Sequence, residues 1–364
     1  MTLIVCNSVF QLYVAVILKK TFLNGKKVDL VLTDATPCFS EMCHNYRLQE
    51  LFENVFYREI NKNAQELNRI LKSRYGKVLF EIFPKMYVKR VWKIETKQYD
   101  ECFFSTYIRP NIFLQHAIKR NNKDNQIHMY EDGISTYLLG NSYQYLTPKF
   151  LRKIFNVSTI EALVDDLYLL EPDLLCLNQY KNIKRIPRPK ECPEVEQLLD
   201  EIFISEKYDI KEKFVFFEES FNNDGHITND ADLINSAYES VGQGEFILKN
   251  HPRNKVNRFK SKLPIIETPI FWEKYILDHS IDHKVLITVS SNTVFVPHIL
   301  CGCEPTVIML YKLFDGTSPI FGSGKYEDYV DRYRKLYGEY TKEKFFVPET
   351  IEEFYAIVNS LKEQ

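Results

Sequence analysis

"TLIVCNSVFQLYVAVILKK", residues 2–20, places a short apolar run directly before an amphipathic stretch, with Asn7 and Ser8 between them. The run is rich in β-branched residues, which suits a strand buried on both faces. Asn7 and Ser8 carry side-chain oxygens that can accept from the unpaired N–H groups of a first helical turn, so they read as a cap. Val9, Leu12, Tyr13, Val16 and Ile17 then recur at helical spacing and form one apolar stripe. Asn24-Gly25 is the expected end of that helix, and "VDLVLTD" (28–34) is the next apolar strand. Strand, helix, strand is the repeating unit of a parallel sheet. The opening has no basic leading region, and Asn7, Ser8 and Gln11 interrupt its apolar run, which argues against a secretion signal.

The alternation continues along the chain. A helix is expected around 40–53, then a long charged stretch, "FPKMYVKRVWKIE" (83–95), then short strands at "ECFFST" (101–106) and "QIHMY" (126–130). "KNIKRIPRPKECP" (181–193) concentrates basic residues and prolines without apolar periodicity and reads as a connector. A helix over 194–204 leads to strands at "KFVFFEES" (213–220), "EFILKNHP" (245–252), "KVLITVSS" (284–291) and "TVIMLY" (306–311). Helices fall between them at "DADLINSAYESVG" (230–242) and "IFWEKYIL" (270–277). The predicted fold class is α/β, with two Rossmann-like domains facing a central cleft. Their expected bounds are 1–185 and 213–364, with a linker and connecting helix over 186–212. Ligands of such sheets bind outside the carboxyl ends of the strands.

Composition narrows the function classes. The chain has 364 residues, enough for two cores. Forty-seven Lys and Arg stand against forty-nine Asp and Glu, so nothing global argues for nucleic-acid binding. No GxGxxG or GxxxxGK[ST] loop occurs, and no apolar run is long enough to span a bilayer. The eight cysteines lie mostly in apolar surroundings and read as reduced thiols of a cytoplasmic protein. Cys38, Cys43 and His44 lack a second pair at ligand spacing, so no metal site is expected.

Three polar clusters sit where strands end. They are Glu131-Asp132-Gly133 after "QIHMY", His251-Pro252-Arg253 after "EFILKN", and Ser290-Ser291-Asn292-Thr293 after "KVLITV". Each has a plain structural reading: a solvated turn, a proline turn, and a helix cap. Pro297 implies that a helix after Ser291 is kinked or begins later. Their order, with the acids in the first domain and the other two in the second, is what points to chemistry.

That order of an acid pair with glycine, then His-Pro, then Ser-Ser resembles the bacterial sialyltransferases. With the strand–Asn-Ser-x-x-Gln opening and the overall length, the chain is most similar to glycosyltransferase family 52, whose members sialylate lipooligosaccharide or capsular glycans. The resemblance spans the chain through short motifs. It implies a GT-B fold, CMP-sialic acid (CMP-Neu5Ac) as donor, inversion at the anomeric carbon, and neither metal nor other cofactor. On this reading Asp132 is the base that takes the acceptor proton, with Glu131 orienting it or touching acceptor, and Gly133 allows close approach. His251 donates to the departing phosphate, Pro252 fixes its loop, Ser290 and Ser291 hold phosphate oxygens, and Asn292 is a further substrate contact. Lys249 belongs to the same donor side, and Glu273 takes the ribose hydroxyls, with Glu267 a competing choice. Asn7 and Gln11 either contact the sialic acid or serve only as cap and first-turn polar residue.

The expected acceptor is a terminal sugar, galactose, on a capsular or lipooligosaccharide chain. A different nucleotide sugar, or a non-catalytic glycan- or nucleotide-binding role, are the alternatives. A polysialyltransferase is the near variant, but a polyanionic acceptor calls for a long basic track that the near-neutral charge does not favour. Lys85, Lys89, Arg90 and Lys93 interleave with Met86, Tyr87, Val88 and Trp92. That stretch reads as a solvated helix face, as a contact with the inner face of the cytoplasmic membrane, or as a homodimer interface.

Overall fold

The computed structural model describes residues 1–363 except 71–73, 107, 140–144, 158, 160–162, 204–207, 222–224, 255–257, 260–261, 268–269, 317–320 and 322–323; of 70 and 74–77 it describes the backbone only. The chain divides into two compact units, Met1–Ile202 and Phe203–Gln364.

The first unit is built on strands β1 (Thr2–Cys6), β2 (Val28–Thr33), β3 (Asn54–Arg58), β4 (Glu101–Phe104), β5 (Gln126–Tyr130), β6 (Asp166–Leu169) and β7 (Ile183–Arg185). They form one parallel sheet in the order β3-β2-β1-β4-β5-β6-β7. The order reverses direction between β1 and β4, which is where a ligand crevice opens in sheets of this kind. β1 and β2 are buried along their whole length, as strands covered on both faces must be. The helix Val9–Lys20 crosses between them, and Ser8 caps it by accepting from the Gln11 N–H.

The second unit has β8 (Phe214–Phe217), β9 (Phe246–Lys249), β10 (Val285–Thr288), β11 (Thr306–Met309) and β12 (Phe345–Phe346). These are parallel in the order β12-β11-β10-β8-β9, with the reversal between β8 and β10. Its apolar core joins β8, β9 and β10 to the helices Asp230–Val241 and Ile351–Lys362.

Several expectations are corrected. The helix around 40–53 is two short ones, Phe39–Met42 and Tyr46–Leu51, because the Asn45 side chain accepts from Arg47 N and Leu48 N and starts a new helix there. The first helix ends at Lys20, before Asn24-Gly25, and Gly25 turns the chain with φ +75°. The proline-rich connector contains β7, and the Ile186 N–H just after it bonds the Leu169 carbonyl. The helix Pro193–Ile202 packs on Val9–Lys20, and Arg47 pairs with Glu201, so most of the expected linker belongs to the first unit.

The stretch 83–95 is a helix, Pro84–Val91, and its aromatic content is mostly core. Tyr87, Val88 and Trp92 are buried, and the Trp92 indole donates to the Pro110 carbonyl at 3.0 Å. Only Met86 among the four interleaved apolar residues stays exposed. Trp92→Ala should therefore cost the first unit about 3–5 kcal/mol, whereas Met86→Ser should fall within about 0.5 kcal/mol. Urea unfolding followed on the first unit checks both, and equal costs would contradict the assignment of Trp92 to the core.

Candidate active site

At the carboxyl end of the first sheet, three strand ends, those of β1, β2 and β4, converge on Asn7. Its backbone N–H and side-chain amide both donate to Gln11 Oε1, at 2.6 and 3.3 Å. Its own Oδ1 accepts from Thr33 Oγ1 at 3.0 Å, and its Nδ2 reaches Thr106 Oγ1 at 3.5 Å. Thr106 follows β4, so Asn7 spans the reversal point of the sheet. Gln11 is fully buried. Because its Oε1 already faces two donors, its Nε2 is turned outward, and it donates to Asp132 Oδ1. The cap is thus also the connection from the first strand to the loop after β5.

The two adjacent acids are sorted by that loop. Glu131 is 2% exposed and turned into the sheet, where Oε2 accepts from Tyr137 Oη at 2.5 Å and from Leu170 N at 2.8 Å. Burial pushes its carboxyl up to about 7, with smaller contributions from Asp132 and Glu171. Asp132 is half-buried, and its N–H is held by Thr136 Oγ1 at 2.9 Å. Glu131 therefore offers no surface to an acceptor. Gly133 has φ +98° and ψ −159°, a conformation that a side chain strains, and it turns the chain from β5 into the helix Ile134–Leu138.

In the second unit the corresponding end of the sheet gathers the His-Pro and Ser-Ser clusters around a residue that the sequence did not single out. Glu219, after β8, is buried, and its Oε1 accepts from Ser290 N, from Thr288 Oγ1 at 2.8 Å and from Ser290 Oγ at 3.4 Å. Burial raises its carboxyl to about 7, against the lowering effect of those donors. Its backbone carbonyl accepts from Asn254 Nδ2 at 3.0 Å, which ties the turn after His251 to β8. Arg253 N donates to His251 Nδ1 at 3.1 Å, so the proton of the neutral ring lies on Nε2.

Ser291 caps a short helix, Asn292–Val294, and a separate turn, Pro297–Cys301, begins at the proline. The helix thus begins anew at Pro297 rather than running through it. Trp272 Nε1 donates to the Thr293 carbonyl at 3.0 Å, which brings the start of the helix Trp272–Asp278 to the same end. Glu273 stands there against Lys249, each half-buried: burial lowers the Lys249 ammonium and raises the Glu273 carboxyl, and each charge offsets the other's shift. Glu267 is exposed. The side-chain oxygens of Asn250, Asn254 and Asn292 are buried and accept from no group among the described residues. Acceptors left this way favour a ligand that brings N–H or O–H donors.

Two comparisons locate the chain among known proteins. The model of the alpha-2,8-polysialyltransferase (POLYST) family matches residues 2–311. A search of curated proteins finds no match. Among solved structures, an alpha/beta-galactoside alpha-2,3-sialyltransferase from Photobacterium phosphoreum aligns over 97% of this chain and 98% of its own, with TM-score 0.51 and 12% identity. The glycosyltransferase of kitacinnamycin aligns over 99% of this chain and 89% of its own, with TM-score 0.52 and 10% identity. The two parallel α/β units and these full-length likenesses give the chain the GT-B fold.

The raised carboxyls have a measurable consequence. Folded Glu131 and Glu219 keep protons that the unfolded chain has released between about pH 4.5 and 7, so each makes stability fall as pH rises through that window. The loss is at most about 3 kcal/mol per group. Buried His116, lowered to about 4, contributes the opposite slope below about pH 6.5. The difference between wild type and Glu131→Gln isolates one carboxyl. Urea midpoints at pH 5 to 8 should show a shallower fall in the variant, and an unchanged slope would contradict the burial argument.

Proposed function

The chain belongs to the alpha-2,8-polysialyltransferase family, and from that premise we propose that it transfers sialic acid from CMP-sialic acid to a hydroxyl of a surface glycan. The observation that carries the assignment of roles is the separation of the acid pair. One carboxylate is sealed in the sheet, while the other is half-buried and held by Gln11.

In the proposed reaction the acceptor O–H approaches the anomeric carbon from the face opposite CMP. Its proton passes to Asp132 as the new C–O bond forms, and the bond to the phosphate oxygen breaks with inversion. The leaving group is a monophosphate, so one imidazole and neutral donors balance its charge without a metal. His251 Nε2–H and the half-buried Ser291 hydroxyl are the donors offered to it. The Ser290 N–H and hydroxyl are taken by Glu219 and the Ser291 N–H by Thr288 Oγ1, so Glu219 sets the turn that presents Ser291. Glu273 and Lys249 are the groups offered to ribose hydroxyls or phosphate, and the oxygens of Asn250 and Asn292, unmet among the described residues, suit the amino group of cytosine or a ribose O–H. Asn7 lies at the reversal point of the first sheet, where the carboxylate-bearing sugar would rest.

Two acceptors are in play. Terminal galactose on a capsular or lipooligosaccharide chain is the first reading. The family description favours a second, a hydroxyl of an already sialylated chain.

The test is a donor panel in EDTA, with galactosides and sialylated oligosaccharides as acceptors and product linkage read by NMR. We expect turnover with CMP-sialic acid alone. His251→Ala should lower kcat by about 10²–10³, and Glu273→Gln should act mainly on the donor KM. Activity restricted to UDP-sugars, or full turnover in His251→Ala, would overturn the reading.

A further inference from the structure

Six of the twelve large hydrophobic side chains exposed among the described residues fall in two short stretches of the first unit. Leu79, Phe83 and Met86 come from one; Phe150, Ile154 and Phe155 come from the other. The stretches are joined in space. Phe83 and Phe155 meet edge to face with ring centres 6.3 Å apart, and Arg120 donates to the carbonyls of both Ile82 and Phe155. Glu81 accepts from Leu146 N and Thr147 N at 2.9 and 2.8 Å, which fixes the chain just before the helix Lys149–Ile154. That helix buries none of its residues: Phe150 is 64% exposed and Ile154 68%.

Exposed charge in these two stretches has one sign. Residues 79–93 and 145–157 hold seven basic side chains and a single acid, Glu81, which is 1% exposed. Lys85, Lys89 and Arg90 lie on the face of the helix Pro84–Val91 opposite its buried Tyr87, Val88 and Val91. Lys149 and Lys153 flank Phe150 and Ile154. An exposed apolar cluster rimmed by cations, with no exposed acid, is the pattern of a surface that inserts side chains between anionic headgroups. A polyanionic glycan would use the cations and leave six apolar side chains in water.

We infer that this face, built on Phe83, Met86, Phe150 and Ile154 with Lys85, Lys149 and Lys153, docks the protein on an anionic lipid bilayer. No described helix is long and apolar enough to cross a membrane, so the contact is with its surface. The inference stands independently of the reaction assigned above, because vesicle binding is read without turnover.

The test uses the full chain with phosphatidylcholine vesicles, with and without phosphatidylglycerol, in flotation assays. Binding is expected only to the anionic vesicles, and it should be lost at 1 M salt, where the Debye length is about 3 Å. Lys149→Glu with Lys153→Glu should weaken it at least about twentyfold, from roughly fivefold per charge. Phe150→Ser with Ile154→Ser should weaken it by a similar factor, and neither pair touches the core, so unchanged thermal unfolding confirms folding. No binding at low salt would overturn the inference. So would binding that the charge reversals abolish and the serine variants leave intact, which would indicate a track for a polyanion. A dimer in light scattering that the serine variants dissociate would assign the face to a second copy of this chain and likewise overturn it.

Discussion

The side-chain amide of Gln11 holds the first unit's candidate site together. It sits buried in the first turn after β1, takes two N–H donors from Asn7 on its oxygen, and so has only its nitrogen to offer Asp132. A carboxylate across the sheet is thereby fixed to the opening strand. The same constraint explains why Asn7, Ser8 and Gln11 interrupt an otherwise apolar segment. Ser8 caps the helix, Asn7 spans the reversal point of the strand order, and Gln11 carries that position to the loop after β5.

The second unit uses a buried carboxylate for the equivalent task. Glu219 binds the backbone and side chains at the end of β10, and its own carbonyl anchors the turn after His251. β8 and β10 are neighbours exactly where that sheet's order reverses, so the donor groups gather by topology and not by closeness in sequence. In each unit one acid is buried and carries a raised pKa, and it accepts from the groups that shape the loop beside it.

Much of this was legible in the sequence because parallel strands buried on both faces are continuous apolar runs. β1, β2, β8 and β10 announce themselves in that way. β3 and β7 do not: they form the two edges of the first sheet, only partly buried, and β7 lies among prolines and lysines that look like a connector. The clusters at strand ends were legible as clusters. Which member of Glu131-Asp132 is buried was not, because adjacent residues of a strand end differ only in the face they turn to. Glu219 was missed because an acid after "FVFF" looks like any solvated strand end, and its partners lie seventy residues away. The aromatic residues of 83–95 misled in the other direction, since Tyr87 and Trp92 are core, and the exposed apolar face is completed by the distant helix Lys149–Ile154.

The proposed division of the acid pair has Asp132 acting on the acceptor and Glu131 serving the fold. The direct measurement is kcat with CMP-sialic acid for Asp132→Asn beside Glu131→Gln, each checked for folding. A loss of about 10²–10⁴ is expected in the first and near wild-type turnover in the second. A variant pair with the reverse pattern, Glu131→Gln inactive and Asp132→Asn active, would contradict it.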